Sequence, residues 1–371
     1  MVKAAAAAAL ILLSMLHGFA LAADVRLGTW NLMRLGNGDQ KSYEAVAVIA
    51  ATVDLLAIQE VMNEEGVARV EAAVEARTGE PWSVISSSPV GSSRYKESYA
   101  FLSRDSVVAY DEGAVSYLDR KNVFIREPFS AKFRTTSGST FALATVHIIY
   151  GKGEADRVPE LQELGRYWAW LEEVYPGESL LLAGDFNMPP NHPAFASLRQ
   201  HAVPVITSGA STLSHTSGKF ANLYDNIFVA PRNGLGITAV GVVNYPSMLR
   251  WTHAQARAHV SDHAPVFIQM GRSRFATGVQ LIPQRGLASV RQSQPAANDA
   301  PFIRTLRSAV GSVPVTGDQA GGSIQANRNS GIYHLPEGCP SYGQISQRNL
   351  VVFASETEAI TAQYRKAGNC R

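Results

Sequence analysis

Apolar positions along the chain alternate between two periods. Val25-Arg26-Leu27-Gly28-Thr29-Trp30 has the composition of a strand, and Asp54-Leu55-Leu56-Ala57-Ile58 reads as a second, shorter one. Between them, residues 43–51 have helical spacing. Val67, Val70 and Val74 then recur at three and four, the stripe of an amphipathic helix. Strand-like runs follow at 99–102, 106–110 and 141–148. Leu161, Leu164, Trp168 and Leu171 mark a long helix with one buried stripe. Residues 179–183 read as a buried strand, and 226–229 and 264–268 as late strands. Several strands follow one another without an intervening helix, so the pattern predicts mixed sheets and not a simple parallel one.

The pattern fades after Gly271. Up to about residue 326 the chain is rich in Arg, Gln, Ser, Ala, Pro and Gly, with weak periodicity. Arg272, Arg274, Arg285, Arg291, Arg304 and Arg307 face only Asp299 as an acid before Val310. That composition favours a solvated linker over a basic strap for a phosphate backbone. Order returns near the C-terminus, with a strand-like Leu350-Val351-Val352-Phe353. Ser355 then caps a helix expected to run to about Arg365, with Glu358 completing a capping box. The expected division is an export signal at 1–22, a large domain at 23–270, a linker at 271–326 and a mini-domain at 327–371. The last piece is too small to stand on its core alone.

Composition adds bounds. The chain has 371 residues, an ordinary apolar fraction and a formal net charge of +2, so no global polycation field marks it for nucleic acid. Lys3, an apolar run over 4–16 and Ala20-Leu21-Ala22 match an export signal with a small-x-small cleavage site. The mature chain is expected to begin at Ala23, in a periplasm or the medium, with no membrane attachment after cleavage. Cys339 and Cys370 are the two cysteines, so the large domain folds without a disulfide.

Six short motifs sit at the ends of these strands. They are Thr29-Trp30-Asn31, Ile58-Gln59-Glu60, Thr145-Val146-His147, Gly184-Asp185-Phe186-Asn187, Tyr224-Asp225-Asn226 and Ser261-Asp262-His263. Alone, a Gly-Asp-Phe-Asn is more often a turn, and a Ser-Asp-His more often a cap or a loop. Together they supply carboxylates for a hard cation, two imidazoles for proton transfer and two amides for oxygen contacts. Cutting a phosphodiester needs those groups. Trp30 is expected to pack beneath such a site. His192, His201, His215, His253 and His259 read as surface or loop histidines.

In their order, the Trp-Asn, Gln-Glu, Gly-Asp-Phe-Asn and Ser-Asp-His elements resemble the endonuclease/exonuclease/phosphatase superfamily. Residues 94–102, Arg-Tyr-Lys-Glu-Ser-Tyr-Ala-Phe-Leu, and Arg126-Glu127-Pro128-Phe129 narrow the likeness to its deoxyribonuclease I-like branch. The resemblance spans roughly residues 25–268. It implies a four-layered α/β sandwich of two mixed β-sheets flanked by helices, to which the chain adds a small α+β C-terminal mini-domain. It also implies an exported, divalent-metal-dependent endonuclease that hydrolyses DNA, with RNA as a second candidate substrate and no obligate protein partner.

By position, the resemblance assigns metal binding to Glu60, Asp262, Asn31 and Asp185. It makes His263 with Asp225 the general base pair and His147 with Glu97 the general acid pair, and it counts Asp185 and Asn187 in the catalytic set. Tyr95, Arg126 and Asn187 fall at substrate-contacting positions. Sparse carboxylate and amide ligands suit Mg2+ better than zinc, with Ca2+ or Mn2+ as alternatives. Two residues after Glu60, where pancreatic-type members place a minor-groove arginine, this chain has Met62. Duplex affinity and sequence preference therefore do not follow from the resemblance. A sphingomyelinase-like lipid phosphodiesterase and a toxin-type nuclease subunit share the superfamily and stand as the alternatives.

The C-terminal segment faintly resembles the zinc domain of Ada-type repair proteins, which uses four cysteines. Here His334, Cys339 and Cys370 leave three candidate ligands, one short of a closed tetrahedral zinc site. In an exported chain the two cysteines are expected to form a disulfide in preference to a metal site.

Overall fold

The computed structural model describes residues 24–287 except 217, 276 and 277. It also describes residues 323–370 except 329, 330, 338, 340, 341, 346, 348, 354, 363, 368 and 369. The expected export signal and positions 288–322 of the linker, with Arg291, Arg304 and Arg307, lie outside the described residues.

In chain order the strands are β1 (Arg26–Leu35), β2 (Leu55–Val61), β3 (Trp82–Ser86), β4 (Val90–Gly91), β5 (Lys96–Arg104), β6 (Val108–Ser116) and β7 (Phe129–Thr135). They continue with β8 (Thr140–His147), β9 (Leu180–Asp185), β10 (Val203–Pro204), β11 (Ile206–Ser208), β12 (Asp225–Val229), β13 (Ile237–Val242) and β14 (Val266–Met270). One sheet has the order β13-β14-β1-β2-β5-β3, with β4 beside β5. The other runs β10-β12-β9-β8-β7-β6. Both are mixed in the same way. β1 and β2 are parallel in the first and β8 and β9 in the second, and their other pairings are antiparallel. The carboxyl ends of each central pair thus share an edge, and the antiparallel strands β5, β12 and β14 begin from that edge.

Side-chain alternation sorts the layers. On β8, Phe141 and Leu143 join the core between the sheets, while Ala142, Ala144 and Val146 face outward. On β9, Leu181 and Ala183 point inward, while Leu180 and Leu182 point outward. The outward set packs on the helix Glu154–Val174 through Leu161, Leu164, Trp168 and Leu171, the stripe read from the sequence. Helices Tyr43–Ala50 and Glu64–Thr78 pack on one another against the first sheet. The result is the expected sandwich of two mixed sheets with helices outside.

The packing of the large domain does not stop at residue 270. Leu281 and Ile282 are buried in the main core, and β15 (Arg285–Gly286) pairs with β11. Residues 271–287, expected in the linker, are held here by Leu281 and Ile282, with Phe275 and Val279 partly buried against the same core, within a mostly polar stretch. That is too short a signal for periodicity to register.

The mini-domain is a sheet of β16 (Ile324–Asn327), β17 (Ile332–His334), β18 (Leu350–Phe353) and β19 (Arg365–Lys366), with a helix at Glu356–Thr361. Ser355 Oγ accepts from the Glu358 amide, so the cap lies where the sequence puts it. The helix is shorter than expected, because residues 365 and 366 leave it to pair with β17. Cys339 and Cys370 are joined in a disulfide, so the alternative of a zinc site on these thiols is not what the structure holds. The mini-domain lies against both sheets. Ile345 bridges to Ile85 on β3, Arg365 donates to Asp111 on β6 at 2.7 Å, and the His334 ring stacks on Tyr110.

Candidate active site

The site forms where the central strands end. Asn31 lies near the end of β1, Glu60 at the end of β2, His147 closes β8 and Asp185 closes β9. His147 and Asp185 are register partners. Asp225 opens β12 and is paired with Asp185, Glu97 lies at the start of β5, and His263 precedes β14. Seven side chains from seven chain segments converge because both parallel pairs point at one edge.

Local backbone geometry turns the groups inward. The ladder between β2 and β5 is irregular between Ile58 and Val61, and within it Glu60 takes φ +59°. Asn187 takes φ +50° just after β9. A non-glycine residue in the left-handed region costs on the order of 1–3 kcal/mol and persists where its surroundings fix it. Here the Glu60 carboxylate accepts from Asn31 Nδ2 at 2.9 Å and from the Arg34 amide at 3.0 Å. The Asn187 amide donates to Asp185 Oδ1 at 2.9 Å, and Asn187 Nδ2 donates to the Ile148 carbonyl. Gly184 has φ +146°, and a Cβ there would lie 2.0 Å from the Val146 carbonyl oxygen. Only glycine lets β9 run this close to β8.

Two histidine–carboxylate pairs face one oxygen. His147 Nδ1 is 2.6 Å from Glu97 Oε1, and His263 Nδ1 is 2.8 Å from Asp225 Oδ2. Their other nitrogens turn to the same atom. His147 Nε2 lies 3.6 Å and His263 Nε2 3.7 Å from Asp185 Oδ2. That oxygen also accepts from Asn31 Nδ2 at 3.1 Å, and His147 Nε2 is 4.0 Å from Glu60 Oε1.

Charge explains the titration of these groups. Burial opposes a proton on His263, but Asp225 and Asp185 overcome it and its pKa is raised well above the ordinary imidazole value. Burial likewise opposes the charge on His147, and Glu97 overcomes both that and the nearby Arg126, so its pKa is raised. Asp185 is held below the usual carboxylate range despite its burial by the two imidazoles. Burial pushes the Asp225 carboxyl up to about 6, against the pull of His263.

The remaining loop is fastened from below. Trp30 is fully buried and its indole donates to the His263 carbonyl at 2.7 Å. Ser261 Oγ donates to the Asn31 carbonyl, and Tyr245 donates to the Ser261 carbonyl. Lys41 gives its ammonium to the carbonyls of Leu32, Met33 and Val260, tying the end of β1 to the segment that carries Asp262 and His263. Burial lowers its pKa to about 8, against the fields of Glu60 and Asp262.

Glu60, Asn31, Asp185, His147, Glu97, Asp225 and His263 therefore form one linked cluster. Asp262 sits at its rim, 3.9 Å from His263 Nε2 and 3.4 Å from Arg257. Arg126, expected to contact substrate, lies beside the Glu97–His147 pair. It is buried, its Nε donates to the His147 carbonyl, and it lies 3.7 Å from Glu97, so it braces that pair. Tyr95 stands half-buried at the rim with its hydroxyl against Met62 sulfur. Tyr99 is buried and accepts from the His147 amide. Among the histidines expected at the surface, His253 is buried against Phe220.

Sequence reading missed Lys41 and Arg157. Arg157 is buried and donates to the Asn187 carbonyl. Its only sequence signal is a cation on the buried side of a helix start.

The oxygens of Glu60 and Asp185 meet across one amide nitrogen, with Asp262 at the rim. This all-oxygen donor set fits a hard divalent cation. Asp185, Asp225 and His263 also place ligand-type atoms within 4.8 Å of one another. There, His263 Nδ1 is already hydrogen-bonded to Asp225 at 2.8 Å.

Residues 28–263 match the Endonuclease/Exonuclease/phosphatase family. A deoxyribonuclease of Thioalkalivibrio sp. (strain K90mix) is 47% identical over 268 residues, covering 70% of this chain and 74% of that protein. Deoxyribonuclease-1-like 2 of Mus musculus is 27% identical over 66% of this chain and 91% of its own length. Deoxyribonuclease-1 of Gallus gallus is 26% identical over 67% and 93%.

Proposed function

The chain belongs to the endonuclease/exonuclease/phosphatase family, and from that premise we propose that it is a divalent-cation-dependent endonuclease hydrolysing DNA. The observation that carries this reading is the convergence of two histidine–carboxylate pairs on Asp185 Oδ2. One imidazole can take a proton while the other gives one, across a single phosphorus centre. The deoxyribonuclease relatives favour DNA as the substrate.

In this reading His263 accepts a proton from water as its oxygen bonds to phosphorus. His147 gives a proton to the departing 3′ oxygen as the P–O bond breaks, leaving a 5′-phosphate and a 3′-hydroxyl. Asp225 and Glu97 hold each ring by Nδ1, so Nε2 is the atom that works on the substrate. Glu60 and Asp185, with Asp262, would hold the cation, Mg2+ foremost, whereas Asn31, expected as a ligand, turns its Nδ2 to Glu60 and Asp185 and its Oδ1 to the Met33 amide. Bound there, it would neutralise charge developing on the phosphate. Positive charge held there would also oppose the proton on His263 and favour the neutral ring that a base requires. Asn31 and Asn187 orient the carboxylates, and Tyr95 lines the rim.

Export is part of the proposal. The Cys339–Cys370 disulfide suits an oxidising compartment, in agreement with the signal-like N-terminus. Plasmid nicking with Mg2+ or EDTA, using wild type and His147→Ala, tests the mechanism, with RNA and sphingomyelin in parallel. Cutting that persists in EDTA, or full activity in the variant, refutes it. Preferential turnover of sphingomyelin would transfer the site to the lipid reading.

A further inference from the structure

Beside this cluster lies a stack that the hydrolytic mechanism leaves unused. Tyr150 is 59% exposed, although it is an aromatic residue on a loop only three positions after His147. Beneath it lies the buried guanidinium of Arg157, 4.3 Å from the Tyr150 ring centroid and 5.8 Å from that of Tyr224. Arg157 Nε donates to the Tyr150 carbonyl and Nη1 to the Asn187 carbonyl, each at 2.8 Å. The cation is thus fixed between two rings by the backbone on either side, and the outer face of Tyr150 is open.

The stack is joined to the reacting centre at both ends. Asn187 bonds Asp185 through its amide, and Tyr224 directly precedes Asp225. The loop itself is rigidly held. The buried carboxylate of Glu160 accepts from the Ile149 amide and from the Ile125 amide, both at 2.8 Å. Ile125 is itself 42% exposed and adjoins Arg126, so an apolar side chain and an aromatic ring stand pinned on neighbouring rim loops.

A ring kept exposed over a buried cation offers a π-face whose ordering entropy is already spent, and flat π-systems bind such a face. We infer that Tyr150, backed by Arg157, is a stacking subsite for an unpaired nucleobase next to the scissile phosphate. This deepens the DNA-hydrolysis reading and rests on it. Inside a duplex both faces of a base are already covered by its neighbours, so the subsite serves single-stranded or frayed DNA. Stacking on an aromatic side chain is worth enough to change binding by about five- to a hundred-fold.

The test compares wild type with Tyr150→Ala and Tyr150→Trp on a short single-stranded oligonucleotide, on the same strand with abasic central positions, and on its duplex. Tyr150→Ala should raise KM on the intact strand by at least five-fold. The loss should be several-fold smaller on the abasic strand, and Tyr150→Trp should restore binding. In the His147→Ala background, a 2-aminopurine in the strand should be quenched on binding, and adding Tyr150→Ala should relieve the quench. Equal losses on all three substrates, or none, would assign Tyr150 to covering Arg157 and overturn the inference alone. Failure of wild type to cut any DNA would overturn this inference together with the reading beneath it.

Discussion

Asp185 Oδ2 receives an amide donor and faces two imidazoles, so a change to this one carboxylate disturbs every partner at once. Asp185→Asn keeps the shape and removes the charge. It should lower kcat for plasmid nicking by about a thousand-fold or more, the scale of losing electrostatic and proton-transfer help together. A variant within ten-fold of wild type would remove Asp185 from the centre of the mechanism. Lys41 makes a subtler case, because it touches only backbone. Lys41→Met leaves the carbonyls of Leu32, Met33 and Val260 without their donor and lets the segment before His263 drift. We expect kcat to fall about ten-fold or more with KM little changed, and Lys41→Arg to recover part of it. A change confined to KM would contradict a positioning role. At this scale the sequence was informative where chemistry and strand ends coincide, as at Asn31, His147 and Asp185. It was silent for Lys41 and Arg157, because lone cations carry no sign of which carbonyls they will meet after folding.

Among the elements, the β8–β9 pair has the narrowest tolerance. Gly184→Ala would drive a Cβ into the Val146 carbonyl at a φ that L side chains avoid. We expect a loss of about 2–4 kcal/mol in urea unfolding, together with loss of activity as Asp185 shifts. A variant of wild-type stability would show that the strands separate more easily than their pairing suggests. The alternation on β8 and the stripe on the helix Glu154–Val174 were readable because burial on one side leaves a period in the residues. The left-handed turns at Glu60 and Asn187 were not readable, since either residue type is ordinary elsewhere. The attachment of residues 281–286 was also hidden, because it rests on two apolar side chains and a two-residue strand.

Across the whole molecule, acid should act first on the mini-domain. His334 is fully buried against Tyr110 and beside the disulfide, and burial lowers its pKa to about 4. The unfolded chain takes up this proton near pH 6.5 and the folded one only near 4. The contribution of a neutral His334 is therefore complete above pH 6.5 and is lost as pH falls towards 4, to the extent of about 3 kcal/mol. Thermal melting followed between pH 7 and 4 should show this decline, and His334→Leu should flatten it. An unchanged slope in that variant would place the acid sensitivity elsewhere. Chelation works at the same scale. EDTA should abolish DNA cleavage and Mg2+ should restore it, read as the rate of supercoiled plasmid loss.

The position of the mini-domain has one more consequence. β3 and β6 each end one of the two sheets, whose opposite ends are β13 and β10, and each would otherwise offer unpaired backbone to a passing chain. Ile345 occupies the first, while His334 and Arg365 cover the second. The tail thus acts as a guard against strand addition, and a chain shortened before residue 323 should become prone to self-association along those margins.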